Sequence, residues 1–266
     1  MAPASNANFA TIPRDQRFAL QTLQQNRLLA SLPAAELQQL SHRLELVELQ
    51  RTDALHSPNQ PLQFAYFPTT AIVSLQYTCN SGETAEIAGV GHEGVVGLAL
   101  FMGAGSTTTS ALVQANGHAF RLHNRHIQGA MERSPALRAL LLHYVQLLLA
   151  QIAQTSVCNR HHRVEQQVCR WLLSMLDRVT SGTLAVTHEI IASALGVRRE
   201  GVTEAAGNLQ RAGVIRYQRG QVEVLQRDGL EARACECYAA IRRAVQNQYS
   251  AQMAASADSV QVGRHA

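Results

Sequence analysis

The residues best suited to chemistry in this chain sit in "GVRREGVTEAAGNLQRAG" (196–213). Arg198, Arg199, Glu200, Thr203 and Glu204 open a helical repeat. Arginine presents a planar fork of donors that fits guanine O6 and N7 or a phosphate, and a carboxylate can accept from cytosine N4. Each good pairing discriminates against a wrong base by about 1–3 kcal/mol. The chemistry is therefore recognition, not bond making. Taken singly, each of these charges reads better as part of a solvated helix face.

What lifts them above that reading is the order of elements around them. Thr187 is an N-cap candidate for the short helix "HEIIASAL", Gly196 permits a tight turn, and Gly213 stops the second helix. "VIRYQRGQVEVL" then turns back on itself across Arg219-Gly220. This succession predicts a winged helix-turn-helix. Ile190, Ile191, Leu195, Val202, Leu209, Val214 and Ile215 form its expected core. The charged front of the second helix then faces a major groove. Thr187 and His188 at the first helix's start, and Arg219 on the wing, meet phosphates.

Before this segment the texture changes twice. Residues 26–49 have helical spacing at Leu28, Leu32, Leu37, Leu40 and Leu44, and Pro33 with Glu36 marks a helix start. From about 44 to 125, short apolar runs alternate with turns. "AIVSLQYT" alternates at Ile72, Ser74 and Gln76, "NSGE" turns a hairpin, and two strands flank Asn116-Gly117. These predict a small antiparallel barrel or roll. Residues 125–157 return to a helical period, with Leu137, Leu141, Val145, Leu148 and Ile152 as an apolar stripe that Leu140, Tyr144 and Leu147 widen. So wide a face needs a partner, and a second copy of the chain is favoured over the chain's own barrel. "HHRVEQQVCRWLLSMLDRV" (161–179) is a further amphipathic helix, whose face is Val164, Val168, Trp171, Leu172, Met175 and Leu176.

Composition narrows the classes. The chain has 266 residues, room for two domains, and 46% apolar content, enough for sizeable cores. Its net charge is +4, and all 23 basic residues are arginine. Without lysine there is no Walker P-loop and no Schiff-base chemistry. No nucleophile–base–orienter set, HExxH or dinucleotide fingerprint occurs, so an enzyme is not expected. The first fifteen residues carry no continuous apolar block, and the most apolar window (137–153) is interrupted by Arg138, His143, Gln146 and Gln151. No signal peptide, membrane span or membrane partner is expected, and the predicted compartment is the cytoplasm. The five cysteines suggest a reducing compartment rather than a disulfide framework. No metal is expected. His161 and His162, adjacent on a helix, diverge by about 100°, and Cys235 and Cys237 are only two ligands. A plain structural role is favoured for that pair.

The stretch "GVVGLALFMGAGSTTTSALVQA" (94–115) reads as a loop between strands, rich in glycine and hydroxyls and free of charge. Together with "AYFPTTAIVSL", "EIAGVGHEGVVG" and "THEIIASALGVRREGVTEAAGNLQRAGVI", it resembles the Crp/Fnr family of bacterial transcription regulators over about residues 26–235. Arg199-Glu200 and Val202 match that family's recognition-helix signature. Glu204 stands where the best-known member has a basic residue, so the preferred half-site should differ there. The resemblance implies an α+β chain: an N-terminal antiparallel β-roll of the cyclic-nucleotide-binding type, a long dimerisation helix and a C-terminal winged helix-turn-helix. The expected divisions are a tail (1–25), the sensor domain (26–130), the helix (131–158), the DNA-binding domain (159–235) and an extension (236–266). It further implies a homodimer on two-fold symmetric duplex DNA, with RNA polymerase as a further partner.

The family's cyclic-nucleotide sensors hold the ribose with a glutamate and the phosphate with an arginine. Matching Gly97 and Ser110 to the family's loop puts Leu98 and Thr109 at those two positions, with Thr108 beside them. A buried phosphate without a paired charge is costly, so cyclic AMP is not expected in the usual pose, and no cofactor is expected. The cluster-binding members use several cysteines near the N-terminus, and this chain has none before Cys79. Haem stays open, because His92, His118, His123 and His126 lie in or near the sensor region. Two alternatives remain: a regulator gated by another small molecule, gas or redox signal, and a sensor or scaffold that does not bind DNA.

Overall fold

A computed structural model of the chain describes residues 9, 11–12, 20–179 and 182–262. These group into two compact units. One runs up to Val73 and adds Val90–Leu149 and the residues from Arg243 on; the other comprises Ser74–Gly89 and Ala150–Arg242.

The first unit opens with α1 (Leu20–Leu23), α2 (Arg27–Ala30) and α3 (Ala34–Ser41). Asn26 fixes this entry. Its Oδ1 caps α2 by accepting from the Leu29 N–H at 3.1 Å, and its Nδ2 donates to the carbonyls of Pro68 and Gly94 at 2.8 and 2.9 Å. α3 starts behind Pro33, as expected. Residues 44–49, included in the helical spacing, are instead strand β1 (Leu44–Leu49), since its pattern also satisfies a period of two against a sheet. The tail expected over 1–25 also needs correction. Leu23 is fully buried in the core, and Thr11 bridges Val47.

The strands β2 (Ala54–His56), β3 (Phe64–Pro68), β6 (Ser110–Ala115) and β7 (Gly117–His123) complete this unit's sheets, with β4 and β5 intervening in sequence. β7 lies between β1 and β3, antiparallel to both, with Leu44 opposite Leu122 and Phe67 opposite Phe120. β2 pairs with β6 across an irregular register. The strands around Asn116-Gly117 therefore belong to different sheets and do not form a hairpin together. Asn116 accepts from the Arg51 N–H at 2.6 Å, and a side chain at Gly117 would collide with the backbone of Thr70 and Ala71. The pair is a corner.

The helical segment expected at 131–158 is two helices broken at Ser134: α4 (Ile127–Arg133) and α5 (Pro135–His161). By length and composition α5 could cross a membrane. Part of its apolar surface, however, is packed in protein. Leu137, Leu140, Leu141, Tyr144 and Leu147 join Leu28, Leu29, Phe67 and Phe120 in the first unit's core. This corrects the expected dimer stripe: Leu137 and Leu141 are 1% and 3% exposed within their own chain. The apolar surface that α5 leaves open is centred on Leu142 (69% exposed), Leu149 (57%) and Val157 (50%). With half-buried Val145 and Ile152, Leu142 and Leu149 form a stripe spaced three and four apart, about 100° round from Leu141, and Val157 follows five residues after Ile152.

In the second unit, β4 (Ile72–Thr78) and β5 (Thr84–Val90) are neighbours joined by a tight turn at Gly82, φ +90°. The expected alternation of β4 fails, for Ser74 and Gln76 are buried. The reason is Glu86, a buried carboxylate on β5 that accepts from Ser74 Oγ at 2.7 Å and Trp171 Nε1 at 3.2 Å. Trp171 belongs to α6 (Val164–Leu176), which is buried on more than its apolar face, with Gln167, Cys169 and Arg170 included. The unit continues through β8 (Thr183–Ala185), α7 (His188–Leu195), α8 (Arg199–Arg211), β9 (Ile215–Gln218), β10 (Gln221–Val224) and α9 (Arg227–Glu231). The extension expected from 236 is a helix, α10 (Glu236–Val262).

Candidate nucleic-acid interface

The helix-turn-helix forms from local signals. Thr187 Oγ1 accepts from the Ile190 N–H at 3.3 Å and caps α7. Gly196 ends α7 at φ +65°, a left-handed position suited to glycine. α8 then buries Val202, Ala205, Ala206 and Leu209, one face at helical spacing, against α6 and α7. Asn208 Nδ2 ties α8 to Glu165 of α6 at 2.9 Å. Ile191, Leu195, Val214 and Ile215 are buried as expected, whereas Ile190 is only half-buried.

The opposite face of α8 is open. Arg198, Arg199, Glu200, Thr203 and Glu204 are all exposed, within the first two turns. Arg199 Nε stands 3.9 Å from Glu189 Oε2, with both side chains mostly in water. So long and exposed a pair is weakly held and leaves the guanidinium free to exchange partners. Helix N-termini also carry partial positive charge, which favours phosphate.

His188 is differently placed. Its Nδ1 is 3.0 Å from Thr203 Oγ1, which donates to the Arg199 carbonyl at 3.0 Å. Its ring lies 4.3 Å from that of Tyr217, and Nε2 is enclosed. Burial, and secondarily Arg199, lower its pKa from the ordinary imidazole value, which favours the uncharged ring. It braces the start of α7 against α8 and β9, with its ring turned inward.

β10 lies between β8 and β9 in an antiparallel sheet, and β8 was not foreseen. Arg219 and Gly220 have φ +51° and +75°, so the wing tip is a hairpin turn in the left-handed region. Arg219 is exposed at that tip. Arg216 pairs with Glu223 across the sheet at 2.9 Å.

The sensor loop belongs to the first unit. Gly97 adopts φ +84° against the Phe64 carbonyl, then a 3₁₀ turn covers Leu98–Met102. Leu98, Leu100 and Phe101 pack on the unit's core. Thr107 and Thr109 hydroxyls lie 3.2 Å apart. Thr108 is exposed, and Ser110 begins β6. Leu98, Leu100 and Phe101 thus face inward while Met102 is exposed, and Thr109 is engaged with its own neighbour.

One set of chemically capable residues was missed. The cysteines that look scattered in sequence gather in space: Cys158 Sγ and Cys235 Sγ are 3.5 Å apart, and Cys237 Sγ is 3.4 Å from His162 Nδ1. Attention to His161-His162 concealed the useful spacing, Cys158-x-x-x-His162, which puts both on one helical face. Each half, that pair and Cys235-x-Cys237, is a local two-ligand signal, and only the fold joins them.

Residues 166–233 match the Crp-like helix-turn-helix domain. No curated protein sequence matches the chain. Among solved structures, FixK2 from Bradyrhizobium japonicum superposes with a TM-score of 0.63 at 16% identity, over 72% of this chain and 98% of that one. The c-di-GMP-responsive global regulator CLP of Xanthomonas campestris gives 0.61 at 14% identity, over 72% and 99%. A Crp/Fnr-family transcriptional regulator from Thermus thermophilus gives 0.59 at 23% identity, over 71% and 98%. The sequence match and the superpositions agree with the geometry above: residues 166–233 are a Crp-like helix-turn-helix domain, on a chain with the fold of the Crp/Fnr regulators.

Proposed function

We propose that this chain is a cytoplasmic transcription regulator of the Crp/Fnr type, without enzymatic activity, that binds two-fold symmetric duplex DNA as a homodimer. The observation that carries this reading is the asymmetry of α8. One face is wholly consumed by the domain core, while Arg198, Arg199 and Glu200 stand open at the N-terminal end. Arg199 reads a guanine, Glu200 a cytosine, and Thr203 and Glu204 border the next base pairs. Thr187 and Arg219 hold flanking phosphates, and His188 holds the α7–α8 geometry. The exposed stripe on α5 joins the two copies, and RNA polymerase is the partner that such a regulator addresses.

The effector is not cyclic AMP in the family's usual pose. Leu98 supplies packing in place of a carboxylate, and Thr109 bonds to Thr107 in place of an arginine's charge. The regulator is therefore ungated or answers a different signal.

The test is binding to duplexes selected from a random pool, measured by fluorescence anisotropy against salt. Affinity should fall steeply, with a log–log slope of about −0.9 per phosphate neutralised. Arg199→Ala should lose about 1–3 kcal/mol on the selected duplex and little on random DNA. A flat salt response, or unchanged preference in Arg199→Ala, refutes DNA reading and leaves the scaffold alternative.

A further inference from the structure

We infer that Cys158, His162, Cys235 and Cys237 form a structural zinc site at the neck of the helix-turn-helix domain. Their four ligand atoms all lie within 4.8 Å of one another. Zn–S bonds of about 2.3 Å and Zn–N bonds of about 2.0 Å at tetrahedral angles imply S···S edges near 3.8 Å and S···N edges near 3.5 Å. The two shortest edges here, 3.5 Å between Cys158 and Cys235 and 3.4 Å between Cys237 and His162 Nδ1, fit one ion at the centre. A multi-iron cluster would spread its cysteine sulfurs over separate irons, and this group is too tight for that.

The surroundings are those of ligands. His162 Nε2 lies 3.2 Å from Glu236 Oε1, and a proton held there leaves the Nδ1 lone pair for the sulfur side. That is the carboxylate–histidine–metal arrangement that fixes a ligand's tautomer. Gln154 Nε2 donates to Cys237 Sγ at 3.0 Å, and buried Arg170 donates to Cys158 Sγ at 3.1 Å. Three thiolates and a neutral imidazole around a divalent ion carry one net negative charge, and Arg170 supplies its countercharge. Gln167, whose amide donates to the His162 carbonyl at 2.8 Å, holds the turn from α5 into α6.

Placement indicates purpose. One ligand pair ends α5 and the other begins α10, and residues 163–234 between them contain the whole helix-turn-helix match. The ion would close that domain as a loop, so its binding free energy becomes folding free energy.

The experiment uses the full chain without a histidine tag, purified under reducing conditions after expression with added zinc. Elemental analysis should give about one zinc per chain. Replacement by Co²⁺ should give the intense visible bands of tetrahedral thiolate coordination. Cys235→Ser/Cys237→Ser should lose the metal, whereas Cys79→Ser, outside the cluster, should keep it. Should the double variant fail to fold, Glu236→Gln retains all four ligands and should weaken zinc about 10–100-fold in competition with a chelator. Wild-type protein that takes up no zinc, that carries iron with labile sulfide, or that is isolated with a Cys158–Cys235 disulfide overturns the proposal. So does zinc retained at full stoichiometry by a folded double variant.

Discussion

The sharpest test of the assembly lies on α5. Leu142 and Leu149 keep 69% and 57% of their surface in water. Fully burying a leucine side chain is worth about 1.5–3 kcal/mol, so covering what these two still expose is worth roughly 1–2 kcal/mol each. In the proposed homodimer a two-fold axis brings two copies of each to the seam, for a total of about 4–8 kcal/mol. At 1.4 kcal/mol per tenfold, Leu142→Ser/Leu149→Ser should weaken self-association by about 10³-fold or more. Sedimentation equilibrium over a micromolar concentration series measures this directly. Leu141→Ala is the control. Leu141 sits one residue away but is buried in its own unit, so its truncation should cost about 2–5 kcal/mol of folding stability and leave dimerisation of the folded protein nearly unchanged. A double variant that associates like the wild type refutes the exposed-stripe seam. Loss of the dimer in Leu141→Ala at unaltered stability refutes it equally.

Two further expectations concern single buried polar groups. Asn26→Ala removes three hydrogen bonds at once and leaves the Pro68 and Gly94 carbonyls and the Leu29 N–H without that partner. At about 1–3 kcal/mol per buried unpaired group, the loss should reach about 3 kcal/mol or more in chemical denaturation; a loss under about 1 kcal/mol would show that water replaces the amide. Glu86 gives a pH signature. Burial raises its carboxyl pKa in the folded chain, against the lowering effects of Ser74, Arg178, Arg170 and Trp171. Between the unfolded and folded pKa values the folded state holds the extra proton, so this group's contribution to stability falls as pH rises through that window. Glu86→Gln has no proton to lose there, and its thermal midpoint should vary less with pH than the wild type's. Equal slopes would remove Glu86 as the source.

The helix-turn-helix domain was legible because its signals are local. Thr187, Gly196, Gly213 and the Arg219-Gly220 turn each act through their own backbone, and each does so where the residue type predicts. What was not legible depends on partners distant in sequence. Asn116-Gly117 has hairpin composition, yet β6 and β7 go to separate sheets, a choice made by β1, β2 and β3. The apolar face of α5 is wide enough for two partners. Periodicity cannot say which side the chain's own core will take, and it takes Leu137 and Leu141. The alternation at Ile72, Ser74 and Gln76 does not tell that Ser74 and Gln76 are buried beside Glu86. The Cys/His cluster joins residues 77 positions apart, and no window along the chain contains both halves.

The packing of the loop from Gly97 to Ser110 bears on the proposed lack of charged nucleotide anchors. Leu98 does more than lack a charge, because it packs with Leu100 and Phe101 on the core that also contains Phe67 and Phe120. The Phe101 ring stands edge-on to that of Phe67 with centroids 6.3 Å apart. A glutamate at 98 would have to leave this apolar contact or carry its charge into it, and an unpaired buried carboxylate is among the costliest groups to fold. Thr109, bonded to Thr107, likewise has a local partner that an arginine would forfeit. Restoring a nucleotide site would therefore require repacking the 3₁₀ turn as well as replacing two residues. On the proposed reading, the contacts that ligand binding supplies in a gated relative are here supplied by the loop's own side chains. The physical expectation that follows is a first unit already ordered without a nucleotide.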